Sequence, residues 1–503
     1  MDQILAFGSG FAAALQPENL MFAFIGCLIG TLIGVLPGIG PVAGIAILLP
    51  ITFNMDPGSA LIMLAAIYYG TMYGGTITSV LMNVPGESAS VVTAIDGYEM
   101  AKQGRAGQAL AIAAIGSFIG GCIATLGIVL MAIPLSRLGL LFGPPEFFGL
   151  VLVGFSLLIG LAGNSFIKSM LAALFGLALT LPGLDPMIGT TRLTFGSVDM
   201  LDGIGFIPVL MGLFGISEVL YNIEKSHTSI STAPVRSLRL SREDWGFSLM
   251  PIFRGTGIGF FIGLIPGLGA ATASFASHAL EKRVSKRPEM FGKGAIEGVA
   301  APEAANNAAA NASFIPMLAL GIPGSPSVAL LLGAFLINGI TPGPFLFRDH
   351  ADLVWMLVAS MVIGNIMLLI MNLPLVRLWT KILDIPYALL FSLIIIFAVV
   401  GSYAVNGSML DVMIMFVFGI IGYGFRKIDI PMAPIALTLV LGPQFEQSLR
   451  QSLVMSNGDY SIFFRGPISI TLITIAVISV LLACFKPSRR SAGSGLRGQD
   501  SEV

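Results

Sequence analysis

Charge is scarce in this chain. Asp, Glu, Lys and Arg make up 11% of its 503 residues, against roughly 25% in a soluble domain. The net charge of −1 gives no sign of nucleic-acid binding. Cysteine is nearly missing: Cys27, Cys122 and Cys484 lie far apart in apolar stretches with no CxxC, and read as small hydrophobes rather than disulfides or metal ligands. The three histidines, His227, His278 and His350, are scattered near loops and read as solvated or capping residues. No GxxxxGK[ST] occurs, so nucleotide hydrolysis through a P-loop is excluded, and HExxH is absent as well. GTGIGF at Gly255 imitates a dinucleotide fingerprint only superficially, because no strand precedes it. The first twenty residues hold no Lys or Arg, which argues against a secretory signal peptide.

What is abundant is apolar sequence. Hydrophobic residues make up 55% of the chain, mean hydropathy is +0.90, and bilayer-length apolar stretches recur from end to end. The expectation is an all-α polytopic membrane protein. Apolar segments are expected at 19–53 (interrupted at Pro37), 59–82, 107–133, 145–162, 165–182 and 204–222. A second set covers 255–279 (interrupted at Pro266), 303–322 with 326–340, 352–373, 386–403, 410–424 and 430–443, and a last span is 467–485.

The two sets repeat one another. Gly30 to Gly40 reads GTLIGVLPGIG and Gly259 to Gly269 reads GFFIGLIPGLG, with Pro37 and Pro266 229 positions apart. MNVPGESAS around Pro85 matches LGIPGSPSV around Pro323, GPPEFFGL near Pro145 matches DIPYALLF near Pro386, and LAGNS at Gly163 matches AVNGS at Asn406. The resulting division is an N-terminal segment 1–18, a first membrane repeat 19–222, a basic cytoplasmic connector 223–254, and a second repeat 255–443. A loop and final transmembrane helix, 444–485, and a disordered cytoplasmic tail, 486–503, complete it. The Lys and Arg residues swap sides between matching loops: 54–58 has none and its counterpart 281–293 has five. By the positive-inside rule this favours two inverted repeats, provided each Pro-Gly segment is a re-entrant or broken hairpin. Roughly 11–12 membrane segments result, with the N-terminus outside and the C-terminus inside.

A Pro-Gly break inside an apolar segment frees backbone polar groups at membrane depth, which is tolerated only inside protein or along a cavity. Paired breaks in two halves point to the binding site of a secondary transporter. The candidates are Pro37, Gly38 and Gly40 in the first half, and Pro266, Gly267 and Gly269 in the second. A helix starting after each break presents orphan N–H groups and a positive dipole end, suited to a carboxylate or phosphate. Thr272 and Ser274 follow as hydroxyl donors. A second constellation is YYGTMYGGTITS, carrying Thr76 and Thr78, followed by Asn83, Gly86, Glu87 and Ser88. Its counterpart, PEAANNAAANAS, offers Glu303, Asn306, Asn307 and Asn311, then Gly324 and Ser325 after the next Pro-Gly. Asn307 and Asn311 share one helix face, and polar groups at this depth are functional by default. Their carbonyls, with freed backbone carbonyls, suit Na⁺. For the small residues helix packing is the competing reading. Glu303 can lie near the membrane surface, where it needs no explanation.

The GxxxGxxPGxG pair, YGGTITSVLMNVPGE and APEAANNAAANASFIPMLALGIPG resemble the large membrane subunit of the tripartite tricarboxylate transporters, over about residues 20–485. The resemblance implies a permease of the bacterial inner membrane. It would work with a small four-span membrane subunit and a periplasmic solute-binding protein to import carboxylates on a gradient of Na⁺ or H⁺, without a bound cofactor. Two other classes stay open at this level: a channel lined by the glycine-rich breaks, and a membrane-embedded enzyme or scaffold.

Overall fold

The computed structural model describes residues 2–36, 40–161, 165–185, 187–224, 235, 237–382 and 387–484. The expectations attached to Pro37, Gly38, Gly163, His227, Pro386 and the tail 486–503 fall outside the described residues.

The first half comprises α1 (Asp2–Ala14), α2 (Pro17–Val35), α3 (Gly40–Leu48) extended by a 3₁₀ stretch Leu49–Asn54, and α4 (Pro57–Met82). A single turn, Ser88–Ser90, leads into α5 (Val91–Lys102), and α6 (Ala106–Gly139), α7 (Pro144–Leu161) and α8 (Phe166–Leu179) follow. Helix α9 (Phe206–Leu210) runs through a π-helical turn, Met211–Ile216, into α10 (Ser217–Glu224). The second half comprises α11 (Arg242–Gly263), α12 (Gly269–Val284), α13 (Glu297–Ala312), α14 (Phe314–Leu320), α15 (Pro326–Ile337), α16 (Leu346–Asp349) and α17 (Ala351–Asn372). It continues through α18 (Val376–Ile382), α19 (Tyr387–Asn406), α20 (Met409–Lys427), α21 (Ala433–Met455) and α22 (Pro467–Cys484). Among the described residues the extended structure is one two-stranded antiparallel pair, Gly183–Leu184 with Thr191–Arg192.

The protein is therefore an all-α, multi-pass membrane protein. Among the described residues seven stretches are long and apolar enough to cross a bilayer: α2, α4, α6, Phe206–Glu224, α17, α20 and α22. Several other expected segments are shorter apolar helices, among them Gly40–Phe53, Phe166–Leu179 and Pro326–Ile337. Chain breaks cut them below bilayer length.

Two boundaries differ from the sequence reading. Helix α11 begins at Arg242, inside the span read as connector. Its start is fixed by a capping box: Ser241 Oγ accepts from Asp244 N at 3.0 Å, and Asp244 Oδ2 accepts from Ser241 N at 2.9 Å. The helix then carries Arg254 onto Glu281 of α12, with contacts of 2.6 and 2.9 Å. Helix α21 continues through Pro443 to Met455, beyond the expected end of the second repeat.

Glycines set how the elements cross. A Cβ at Gly26, Gly30 or Gly34 of α2 would lie 2.3–2.5 Å from the Met63, Ile67 or Thr71 carbonyl oxygen of α4. Only glycine allows this approach. The rising numbers on both sides mean that α2 and α4 run parallel, so α3 and its 3₁₀ extension form the return arm of a hairpin. The second half has the same seam. A Cβ at Gly255, Gly259 or Gly263 of α11 would lie 2.2–2.6 Å from Ala301 O, Ala305 O or Ala309 O of α13.

The two glycine seams run in opposite directions. Thr76 of α4 donates to Glu303 of α13 at 2.8 Å, while Tyr68, two turns earlier, lies 6.3 Å from Phe314, beyond the end of α13. Helix α17 follows α2, through Asn19 on Met356 at 3.3 Å and Cys27 on Gly364 O at 3.7 Å. Helix α6 follows α13, where a Cβ at Gly116 or Gly120 would lie 3.1 Å from Ala300 O or 2.4 Å from Ala304 O. Helices α2, α4 and α17 thus share one direction, and α6, α11 and α13 the opposite one.

Candidate functional site

The breaks meet. Gly86 of the second break lies against the end of α2, where its added Cβ would be 2.1 Å from Gly34 O and 2.6 Å from Gly75 Cα. In the second half Gly324 packs on the matching residues, where an added Cβ would be 3.5 Å from Gly263 O and 3.0 Å from Ser313 Cβ. Gly267 N donates to Gly324 O at 3.1 Å, tying one break to the other. Gly40, Gly267 and Gly269 have φ of +63°, +85° and +65°, which a side chain would strain.

Between the two pairs of breaks is a cavity of about 670 Å³. Gly40, Gly86 and Ser88 line it from the first half, and Gly267, Gly269, Thr272, Gly324 and Ser325 from the second. Helices α3, α12 and α15 all start at its wall, as does the turn leading into α5. Ser325 is the N-cap of α15, its Oγ accepting from Val328 N at 3.3 Å. Among the described residues the lining includes no Lys, Arg or His, and the helix N-termini are its local sources of positive partial charge. Tyr68, Met72, Leu158 and Phe214 add apolar surface, and Glu87 is the acidic side chain in the described lining.

The remaining sequence candidates lie behind this wall. Asn307, wholly buried, donates through Nδ2 to Ser117 Oγ at 2.7 Å and to Glu303 O at 3.2 Å. Asn311 donates to Asn307 O at 2.8 Å, and Oδ1 of both residues is buried without a hydrogen-bond partner. Thr76 holds Glu303, Thr78 bonds back to Gly75 O at 3.2 Å, and Ser274 donates to Pro302 O at 3.2 Å. Asn83 is exposed and closes α4 as a left-handed C-cap with φ +57°. Pro266 packs near Gly154 of α7.

Glu303 is enclosed within the protein. It is 0% exposed, and three hydroxyls from three helices reach it: Thr93 at 2.5 Å, Thr76 at 2.8 Å and Ser117 at 3.3 Å. Sequence reading missed this cage because Thr93 and Ser117 come from distant segments. The i, i+3, i+4 spacing of Glu303, Asn306 and Asn307 was the available signal. Glu87, which the sequence places beside the Pro85 break without giving it a role, belongs to the site as well. It lines the cavity at 8% exposure, accepts from Ala89 N at 2.7 Å, and receives Asn306 Nδ2 at 3.1 Å. Neither carboxylate is in an ion pair among the described residues. His278 is neither free nor catalytic in its setting: it pairs with Asp96 at 3.2 Å. Among the described residues no group of three His, Cys, Asp or Glu could hold a metal ion.

Comparison with known proteins agrees with this architecture. The model of the tripartite tricarboxylate transporter TctA family matches residues 20–437. An uncharacterized 52.8 kDa protein in the TAR-I ttuC' 3' region of Agrobacterium vitis is 48% identical over 492 residues, covering 98% of each chain. An uncharacterized protein in the TAR-II ttuC' 3' region of the same organism is 49% identical over 233 residues, 46% of this chain and 96% of the relative. No solved structure matches the chain.

Proposed function

Since the chain belongs to the tripartite tricarboxylate transporter TctA family, and is thus a membrane subunit of such a transporter, we propose that it is the permease through which carboxylates cross the bacterial inner membrane. Di- and tricarboxylates are the substrate class. A periplasmic solute-binding protein delivers them, a small four-span subunit completes the complex, and a cation gradient drives entry.

The observation that carries the reading is the cavity where the breaks converge. It is large enough for a small organic acid, receives the N-termini of α3, α12 and α15, and has no basic side chain in its lining. Backbone N–H groups with Ser325 and Thr272 hydroxyls would hold the carboxylates. A cation partner is needed for energetic reasons. Carrying a dianion inward against an inside-negative potential costs about 2.3 kcal/mol per charge per 100 mV. Co-transported positive charge offsets that cost. The opposed directions of α2–α4 and α11–α13, each with a hairpin ending at the cavity, favour inverted repeats that expose the site alternately to the two sides.

Uptake into proteoliposomes holding the permease and its two partners tests this. Saturable, gradient-dependent accumulation of a labelled carboxylate is expected, abolished by omitting the binding protein. Non-saturable flux that follows the gradient of the carboxylate alone would favour a channel instead.

A further inference from the structure

The two halves of the cavity differ at one matched position. Gly86 corresponds to Gly324, and the next residue is Glu87 in the first half and Ser325 in the second. Ser325 caps α15 with a neutral hydroxyl. Glu87 caps the turn into α5 with a carboxylate, in a box where Glu87 N donates to Ser90 Oγ at 3.4 Å. A carboxylate of the protein therefore already occupies one of the four helix starts at the cavity wall. An incoming carboxylate would meet it across a low-dielectric space with no Lys, Arg or His in the lining to separate them.

The surroundings of Glu87 suit both protonation states. Asn306, 0% exposed, donates from Nδ2 to Glu87 Oε1 at 3.1 Å, while its Oδ1 is buried without a partner. A carboxylate accepts from Nδ2. A carboxylic acid would instead donate to Oδ1, after a half-turn of the same amide. The unused Oδ1 is the acceptor that a protonated Glu87 requires. The ionisable groups facing Glu87 do not replace the proton. Helix α4 presents Tyr68 and α13 presents Glu303, which already collects three hydroxyl donors. The first ionisable residues along α5 and α12, Asp96 and His278, pair with each other.

We infer that Glu87 couples carboxylate entry to a proton. It takes up one proton from the cavity as the anion enters, and releases that proton to the other side when the anion leaves. No bond other than the O–H of Glu87 is made or broken. This deepens the functional reading above and rests on it.

The test uses the permease reconstituted with its partner subunits, with a pH-sensitive dye inside the vesicles and labelled citrate outside. Citrate and proton entry are read together at one pH in wild type, Glu87→Gln and Glu87→Ser. The ratio of protons to citrate is expected to fall by one in either neutral variant, and to be preserved in Glu87→Asp. Comparing variants cancels the titration of citrate itself. Binding measured from pH 5.5 to 8 gives a second reading: the wild-type affinity falls relative to Glu87→Gln by up to about tenfold per pH unit. Glu87→Ser, which copies the Ser325 cap, guards against a folding defect in Glu87→Gln. An unchanged proton ratio in either neutral variant would overturn the inference and leave the carboxylate reading intact. A wild-type complex that moves no carboxylate under any gradient would overturn both.

Discussion

Gly86 and Gly324 occupy matched positions at the cavity wall, but their surroundings predict unequal responses to a methyl group. At Gly86 the new Cβ would stand 2.1 Å from Gly34 O and 2.6 Å from Gly75 Cα, both backbone atoms of packed helices. Relief requires the α2–α4 seam to open by about 1 Å, and overpacking of this kind costs about 1–3 kcal/mol. The rigid neighbours put Gly86→Ala at the upper end. At Gly324 the closest atom is Ser313 Cβ at 3.0 Å, and Gly263 O is 3.5 Å away, so a shift of a few tenths of an ångström suffices. That substitution should cost less than about 1 kcal/mol. If the strain falls on the binding-competent state, Gly86→Ala loses roughly a hundredfold in apparent affinity and Gly324→Ala less than about fivefold. The assay is citrate uptake by matched amounts of inserted protein, with thermal melting of the purified variants alongside. Equal damage from the two substitutions, or wild-type melting and uptake in Gly86→Ala, would refute the geometry described for the cavity wall.

Other consequences follow from individual contacts. Asn307→Ala removes the bond to Ser117 and should lower apparent affinity about five- to hundredfold, whereas Asn311→Ala, whose Nδ2 reaches only Asn307 O within the same helix, should do less; concentration-dependent uptake separates them. Gly257→Ala meets open space and should raise the melting temperature slightly through helix propensity, while Gly259→Ala, 2.3 Å from Ala305 O, should lower it by several degrees. The loop carrying the short strand pair has a pH signature. The Arg450 guanidinium, hydrogen-bonded to Asp185 at 2.6 Å, holds that carboxyl down to about 2, with Met187 and Ile188 N–H adding to the effect. Because the folded value lies below the ordinary Asp value of about 3.9, the contact contributes fully above that value and is lost as pH falls through about 2. Hydrogen exchange of residues 183–192 should be slow at pH 5, and Asp185→Asn should speed it there; equal exchange in the two proteins would contradict this.

Much of the fold was legible because membrane physics leaves few options. Apolar runs gave most helices, and Pro-Gly pairs marked where backbone must leave the helix. The glycines at four-residue spacing signalled close packing, though not that α2 meets α4 and α11 meets α13. The start of α11 is hard to read from the sequence because Arg242, Glu243 and Asp244 look like loop, while Ser241 and Asp244 form the capping box of a helix. At the site, the Gly40, Gly86, Gly269 and Gly324 regions were recognisable individually as breaks. That they meet at one site is what paired breaks in a secondary transporter imply, but which residues line the cavity depends on how α2 packs on α4 and α11 on α13, which no local pattern encodes. The enclosure of Glu303 is illegible for a similar reason. Its burial is tolerable only because Thr76, Thr93 and Ser117 arrive from three other helices, and single-segment reading cannot see such compensation.

The central claim is that transported carboxylate sits where the breaks meet. Ser325, at the N-cap of α15 in that wall, is the position to probe. In a background lacking the native cysteines at 27, 122 and 484, Ser325→Cys is labelled with a water-soluble thiol reagent with and without saturating citrate. Cys484, which is exposed, restored alone gives the reference rate. The account predicts that citrate slows labelling at position 325 in proportion to occupancy and leaves position 484 unchanged. Equal labelling at position 325 with and without citrate, in protein that still transports it, would contradict the account.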